Sequence, residues 1–131
     1  MLQKFIILLL LLLPASSVFS QPFDCSKFRE GKFRTADSRV GGIVITDRRG
    51  NYQTESTESL KLIIRFNISW QDNCTYTLKV DKVIRNENKV EIPGDLKINV
   101  KIVETSASSY IQEITSSITN GSYRAEVFKT E

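Results

Sequence analysis

Apolar and polar residues alternate strictly along three segments of the chain. Every even position from Leu60 to Trp70 is apolar, and the odd positions between them are mostly Lys, Arg, Asn and Ser, with Ile63 as the exception. The same alternation recurs from Cys74 to Val80 and from Leu96 to Ile102. A period of two places one face of an extended chain in a core and the other face in water. Each segment is therefore predicted to form a β-strand.

Turn-forming residues delimit further strands. Gln71-Asp72-Asn73 is a short polar turn between the first two strong strands, and Gly50-Asn51 and Asn120-Gly121 are signals for two-residue hairpin turns. The remaining predicted strands are weaker in pattern and cover Gly31 to Thr35, Val40 to Asp47, Tyr52 to Thr57, Ser109 to Ile118 and Ser122 to Lys129. No segment shows the periodicity of an amphipathic helix.

The count of about eight strands, joined mostly by short turns, predicts an all-β fold. The expected architecture is a small antiparallel up-and-down meander that forms a closed or nearly closed barrel, and a β-sandwich is the alternative. Closure removes exposed strand edges. The interior of an eight-stranded barrel is either filled by side chains or holds one small ligand, and the pattern leaves that choice open.

The start of the chain has the features of a secretory signal peptide. Met1 and Lys4 precede the apolar run from Phe5 to Leu13, and Pro14, three small residues and then Val18-Phe19-Ser20 follow. The run is too short for a membrane span, which takes about 20 residues. We therefore predict a signal peptide at residues 1–20 and a single domain at 21–131. The mature protein is expected to be secreted or periplasmic and not to span a membrane.

Cys25 and Cys74 are the two cysteines of the chain. In an exported protein such a pair predicts a disulfide. The alternative is two free thiols, one of them catalytic. That alternative lacks the usual base for a nucleophilic cysteine, because the chain contains no histidine.

Three motifs carry a resemblance to a known group of proteins. They are Cys25…Gly31-Lys32-Phe33, then Arg48…Gln53-x-Glu55, then Trp70-x-x-x-Cys74-x-Tyr76-x-Leu78. The chain resembles small exported proteins of unknown function from gliding Gram-negative bacteria, and the resemblance implies a lipocalin-like (calycin-type) barrel. Its first motif is similar to the opening of lipocalins, in which tryptophan usually follows the glycine. Some of these proteins carry the name DNA topoisomerase IV, which a chain of 131 residues with an export signal does not fit.

Four large apolar residues are candidates for contact with a ligand. Phe66, Trp70, Tyr76 and Leu78 lie on the predicted inner face of their strands, the same face as Cys74. Their simplest interpretation is a hydrophobic core around the disulfide. The alternative is an aromatic-lined cavity for a ligand.

Three polar residues are predicted to converge on one face. If Gly50-Asn51 forms a two-residue turn, Arg48 faces Gln53, and Glu55 lies diagonally from Arg48. On an interior face these groups would bind a polar head group or form a buried network. The opposite face carries three apolar residues, Ile43, Ile45 and Tyr52. That face looks more like a core, so the pattern favours an exterior charge pair.

Charge and motifs narrow the function. The formal net charge of +3 falls to +2 when the segment containing Lys4 is removed, so nothing indicates a nucleic-acid partner. The chain has no catalytic motif, phosphate loop or metal-ligand spacing, so we predict no catalytic residue, metal or cofactor. The leading hypothesis is a secreted, non-catalytic protein that binds a small apolar or amphipathic ligand in the barrel. The alternative is a cell-envelope interaction protein with a filled core, which binds an envelope protein through its outer surface. A secreted enzyme is a distant third hypothesis.

Overall fold

The computed structural model of the protein describes residues 24–131 and contains eight β-strands and two short 3₁₀ helices in that range. The strands are β1 (Gly31–Asp37), β2 (Gly42–Arg49), β3 (Tyr52–Thr57), β4 (Leu62–Trp70), β5 (Thr75–Asn86), β6 (Lys97–Thr105), β7 (Ser109–Ser116) and β8 (Thr119–Lys129). The 3₁₀ helices are Ser26–Phe28, before β1, and Glu58–Leu60, between β3 and β4. The predicted signal peptide at residues 1–20 lies outside the described residues.

The eight strands form a closed antiparallel barrel in sequence order. Each strand pairs with the next, and β1 pairs with β8 through a short seam in which Phe33 lies opposite Lys129 and Arg34 opposite Phe128. The predicted all-β up-and-down barrel is confirmed, and the sandwich alternative is wrong. Within residues 24–131 the structure shows no helix that is long and apolar enough to cross a membrane.

The alternation along the strands determines which side chains face the interior. In β4 the even residues Leu62, Ile64, Phe66 and Ile68 are buried in the main hydrophobic cluster, and the residues between them are less buried. This follows from the pleat, which points successive side chains to opposite sides of the sheet. Leu60, which the sequence assigned to the strand, instead ends the second 3₁₀ helix.

The two ends of the barrel differ. In an up-and-down meander, successive turns lie alternately at opposite ends. The turn at Gly50-Asn51 and the connection at 71–74 therefore share one end, and the connections at 38–41 and 117–118 lie at the other. The helix Ser26–Phe28 covers the first end, where the buried ring of Phe28 packs 5.0 Å from the ring of Tyr110. We call this the closed end and the opposite one the open end.

The predicted disulfide between Cys25 and Cys74 is present, with the two Cα atoms 5.4 Å apart. It joins the residue before the helix Ser26–Phe28 to the connection between β4 and β5. The bond therefore holds the cover of the closed end against the rim of the barrel.

One of the two predicted hairpin turns is wrong. Gly50-Asn51 forms its two-residue turn, since Arg49 pairs with Tyr52. Between β7 and β8, however, Ser116 pairs with Thr119, so the turn residues lie before Asn120-Gly121. The Asn-Gly pair lies inside β8, at an irregularity in the pairing, and Gly121 has a φ of 81° there. A bulge that needs a positive φ favours glycine as much as a turn does.

Removal of the disulfide should destabilise the barrel without changing its fold. A double substitution, Cys25→Ala with Cys74→Ala, releases a loop of 49 residues in the unfolded chain. The chain-entropy model then predicts a loss of about 4 kcal/mol in the free energy of unfolding. Urea unfolding measures this loss, and far-UV circular dichroism should still report a β-sheet protein. Reduced wild-type protein is the control and should match the variant. An unchanged unfolding midpoint would contradict the prediction.

Candidate functional site

The barrel interior has a polar wall and an apolar wall. The polar wall consists of the inward-facing polar residues of β1 to β3, which are Thr35, Asp37, Thr46, Arg48, Gln53, Glu55 and Thr57. Strand pairing brings them together, because Thr46 lies opposite Glu55 and Arg48 opposite Gln53. The apolar wall is built by the inward-facing residues of β4 to β8, most of them aliphatic or aromatic.

Arg48 is the most unusual residue of the polar wall, because only 1% of it is exposed. Its Nε donates to Oε1 of Gln53 at 2.8 Å and its Nη1 to the carbonyl oxygen of Phe28 at 2.6 Å. Its Nη2 donates to the hydroxyls of Tyr76, at 2.9 Å, and Tyr110, at 3.0 Å. All four acceptors are neutral. We call this group of five residues the Arg48 network.

Aromatic rings surround the same guanidinium. Its central carbon lies 4.6 Å from the centroid of the Phe33 ring, 4.8 Å from that of Tyr76 and 5.8 Å from that of Trp70. Such ring faces attract a cation, more strongly when it is removed from water. No carboxylate in residues 24–131 forms a salt bridge with Arg48, so its charge is stabilised by hydrogen bonds and rings.

The expectation of an exterior charge pair is wrong, because Arg48, Gln53 and Glu55 all face the interior. Gln53 connects the other two, since it accepts from Arg48 and its Nε2 donates to Oε1 of Glu55 at 2.9 Å. The apolar residues on the opposite face are the exposed ones: Ile45 is 44% exposed and Tyr52 45%. The sheet tolerates this arrangement because the interior offers acceptors to four of the five N–H donors of Arg48.

Two adjoining cavities occupy the interior beyond the Arg48 network. The inner cavity has a volume of about 80 Å³ and borders the network. The outer cavity has a volume of about 240 Å³, and its walls include Val40, Leu60 and Ile118 from the connections at the open end. Glu55 and Tyr123 line both cavities. The interior is therefore filled at one end and hollow at the other.

Several polar side chains of the inner cavity keep unused hydrogen-bonding capacity. Glu55 accepts one bond from Gln53 at Oε1, and no described residue donates to its Oε2. Thr35, Thr46 and Gln112 line the same cavity, and their side chains form no hydrogen bond with the described residues. These groups are not fully enclosed, because every fully buried side-chain nitrogen or oxygen of the described residues has a partner. They therefore stay available to a molecule in the inner cavity, which makes this cavity the polar end of the candidate site.

The pKa of the Glu55 carboxyl is raised above its ordinary value. Burial is the main cause, and the hydrogen bond from Gln53 and the charge of Arg48 oppose it. The other charged or titratable groups around it are Asp37 at the end of β1, Arg39 in the connection that follows, Tyr76 on β5 and Tyr123 on β8. Burial dominates because no cation contacts Glu55 directly.

Arg39 covers part of the open end. Its Nε donates to Oδ1 of Asp37 at 3.0 Å, and its central guanidinium carbon lies 3.4 Å from the centroid of the Tyr123 ring. It lines both cavities, yet half of its side chain is exposed. Asp37 and Arg39 therefore form an ion pair at the rim of the barrel. Glu55 lies deeper in the interior and forms no ion pair with a described residue.

The four predicted ligand-contacting residues separate in the structure. Tyr76 and Leu78 line the inner cavity. Phe66 is buried in the core and lines neither cavity. Trp70 lies at the closed end, where its ring packs 4.7 Å from Tyr76 and under the guanidinium of Arg29. These two therefore differ from the expectation that they line the cavity.

Sequence reasoning missed several residues of the site: Phe28, Thr35, Asp37, Arg39, Thr46, Tyr110, Gln112 and Tyr123. The interior parity of Arg48 would have revealed Thr46, because the two lie two residues apart on one strand. The others depend on pairings between distant strands. Among residues 24–131 the structure contains no group of three or more His, Cys, Asp or Glu residues that would hold a metal ion.

Comparison with known proteins does not assign the chain to a family. The chain matches no protein-family model, no curated protein and no solved structure. The lipocalin-like relationship therefore stays a prediction, and the function is inferred from the geometry of the interior.

Truncation of Arg48 should severely destabilise the protein. Arg48→Ala leaves four buried neutral acceptors without their donor, and each such unpaired group typically costs about 1–3 kcal/mol, so a loss of several kcal/mol is expected. Arg124→Ala is the matched control, because Arg124 forms an exposed ion pair with Glu113. Its expected cost is at most about 1 kcal/mol. Urea unfolding of both variants measures the difference, and equal losses would contradict the central position of Arg48.

The raised pKa of Glu55 should make stability depend on pH. Between the ordinary and the raised value, the folded protein binds more protons than the unfolded chain, so stability falls as the pH rises through that window. Glu55→Gln keeps an acceptor for Gln53 and removes the titration. The substitution should make the free energy of unfolding less dependent on pH and should stabilise the protein at neutral pH.

Urea unfolding between about pH 4.5 and about pH 7.5 tests this expectation, since the window begins near the unfolded pKa. Glu104→Gln removes an exposed carboxylate. Its free energy of unfolding should depend on pH with the same slope as that of the wild type. A slope in Glu55→Gln equal to that of the wild type would show that Glu55 does not cause the pH dependence.

Proposed function

We propose that the protein is a non-catalytic binding protein that holds one small amphipathic molecule in the open end of its barrel. The observation that carries this proposal is the outer cavity of about 240 Å³, which adjoins the polar inner cavity. A pocket with mostly apolar walls and a few convergent polar groups is the usual form of a small-molecule site.

The size of the cavities limits the ligand. An apolar cavity of about 150 Å³ is enough to bind benzene, so the outer cavity accommodates a short aliphatic chain or a single ring. Leu62, Ile64 and Ile98 supply aliphatic contacts for that part. The inner cavity of about 80 Å³ accommodates only a compact head group. The proposed ligand is therefore small and has one polar end.

The closed end makes the barrel a cup and not a channel. Phe28, the Arg48 network and the rings around it fill the interior at that end. The disulfide holds the covering helix in place. A ligand therefore enters and leaves through the open end, past Arg39 and Ile118.

We also propose that the protein works outside the cytoplasm, as a secreted or periplasmic protein. The disulfide supports this, because such bonds persist mainly in oxidising compartments. The predicted signal peptide agrees with it.

Binding of 1-hexanol to the oxidised mature protein tests the proposed function. We expect fast-exchange NMR shifts at backbone amides of residues that line the cavities, such as Val44, Ile98 and Ile114. Ile98→Trp should fill the space and abolish binding. Ile45→Trp is the control, because Ile45 points outward, and it should bind as the wild type does.

Two results would contradict the proposal. One is the absence of shifts at millimolar hexanol in a folded protein. The other is a set of shifts confined to the outer face, which would favour the alternative of an envelope protein that acts through its surface.

A further inference from the structure

The position of Glu55 at the junction of the two cavities indicates what kind of head group the site takes. Its side chain lines both cavities, and its Oε2 receives no hydrogen bond from the described residues. An ionised carboxylate only accepts hydrogen bonds. In its ionised form Glu55 therefore pairs only with a ligand group that donates.

The charges around Glu55 favour a cationic donor over a neutral one. Arg39 is engaged by Asp37, and Arg48 is held by four neutral acceptors and separated from Glu55 by Gln53. No described lysine or arginine forms a salt bridge with Glu55. A partly buried carboxylate without a counterion is costly, and a ligand cation would offset that cost.

An anionic head group fits less well. It would lie next to the Glu55 carboxylate, and like charges at short distance repel. Arg48 offers it little, because four of its five N–H donors already bond protein acceptors.

The other unpaired polar side chains of the inner cavity are able to accept from an ammonium. An ammonium has three N–H donors. Besides Glu55, the cavity is lined by Thr35, Thr46 and Gln112, whose side chains contain acceptor oxygens and form no hydrogen bond with the described residues. A volume of about 80 Å³ suits this compact group.

We infer that the ligand is a primary ammonium with a short aliphatic or arylalkyl tail, its nitrogen bound at Glu55 and its tail in the outer cavity. This inference rests on the proposed function. Glu55 then determines the specificity of the site, whereas the apolar wall supplies affinity that does not depend on the charge of the head group.

Three probes of equal chain length test the inference: n-hexylammonium, 1-hexanol and hexanoate, each titrated into the oxidised mature protein at pH 7. A charge-assisted hydrogen bond in place of a neutral one should make hexylammonium bind roughly tenfold more tightly than hexanol. Hexanoate should bind most weakly. Glu55→Gln should remove the preference for the amine and leave hexanol affinity within about twofold, because the cavity keeps its shape.

The control variant is Glu104→Gln, which removes the same charge from an exposed position on β6 and should keep the preference. Hexanol binding by Glu55→Gln reports at the same time that the variant is folded. If hexanol binds but the amine has no advantage, or hexanoate binds best, the inference is overturned and the proposed function stands. If no probe binds, both are overturned. An amine preference that survives in Glu55→Gln also overturns the assignment to Glu55.

Discussion

Arg48 places a full positive charge inside the closed end of the barrel, and removal of such a charge from water costs several kcal/mol. The protein meets this cost with four neutral acceptors and flanking ring faces and not with a carboxylate. The acceptors come from the first 3₁₀ helix, β3, β5 and β7, and Arg48 itself comes from β2. One side chain therefore links five elements, and the covering helix is held by both this network and the disulfide.

The shape of the interior follows from that arrangement. Because the guanidinium and its aromatic neighbours fill the closed end, the empty volume lies at the open end. Gln53 extends the network by one hydrogen bond to Glu55, which lies at the boundary between filled and hollow parts. The same interactions that stabilise the fold thus leave one carboxylate oxygen facing the cavity. In this account, the polar wall of β1 to β3 serves both stability and recognition. Strands β4 to β8 supply the apolar contact area and, in addition, the hydroxyls of Tyr76 and Tyr110 and the side chain of Gln112.

The sequence predicts the barrel because a hydrophobic period of two is visible in each strand by itself. Along β4 and β5 this alternation identifies the buried face of the strand. Local pattern does not determine which face of β2 and β3 lies inside, because β2 mixes polar and apolar residues on both faces and β3 is mostly polar on both. The interior position of Arg48 depends on acceptors far away in the chain, above all the hydroxyl of Tyr110. For the same reason, the pattern identifies Tyr76 and Phe66 alike as inward residues but cannot tell that only Tyr76 borders a cavity. Asn120-Gly121 shows a different limit of sequence-based prediction. A preference for positive φ suits a bulge inside a strand as well as a turn, so the pair alone does not tell them apart.

A crystal structure of the oxidised protein, residues 21–131, grown with n-hexylammonium tests the account most directly, because it observes the Arg48 network and the ligand together. The account predicts one ligand in the open end, with its tail against Ile98 and its nitrogen within about 3 Å of Oε2 of Glu55, as in charge-assisted hydrogen bonds. It also predicts Arg48 in contact with its four acceptors. Hexylammonium on the outer face, or in the barrel with its nitrogen turned away from Glu55 toward solvent, would contradict the account.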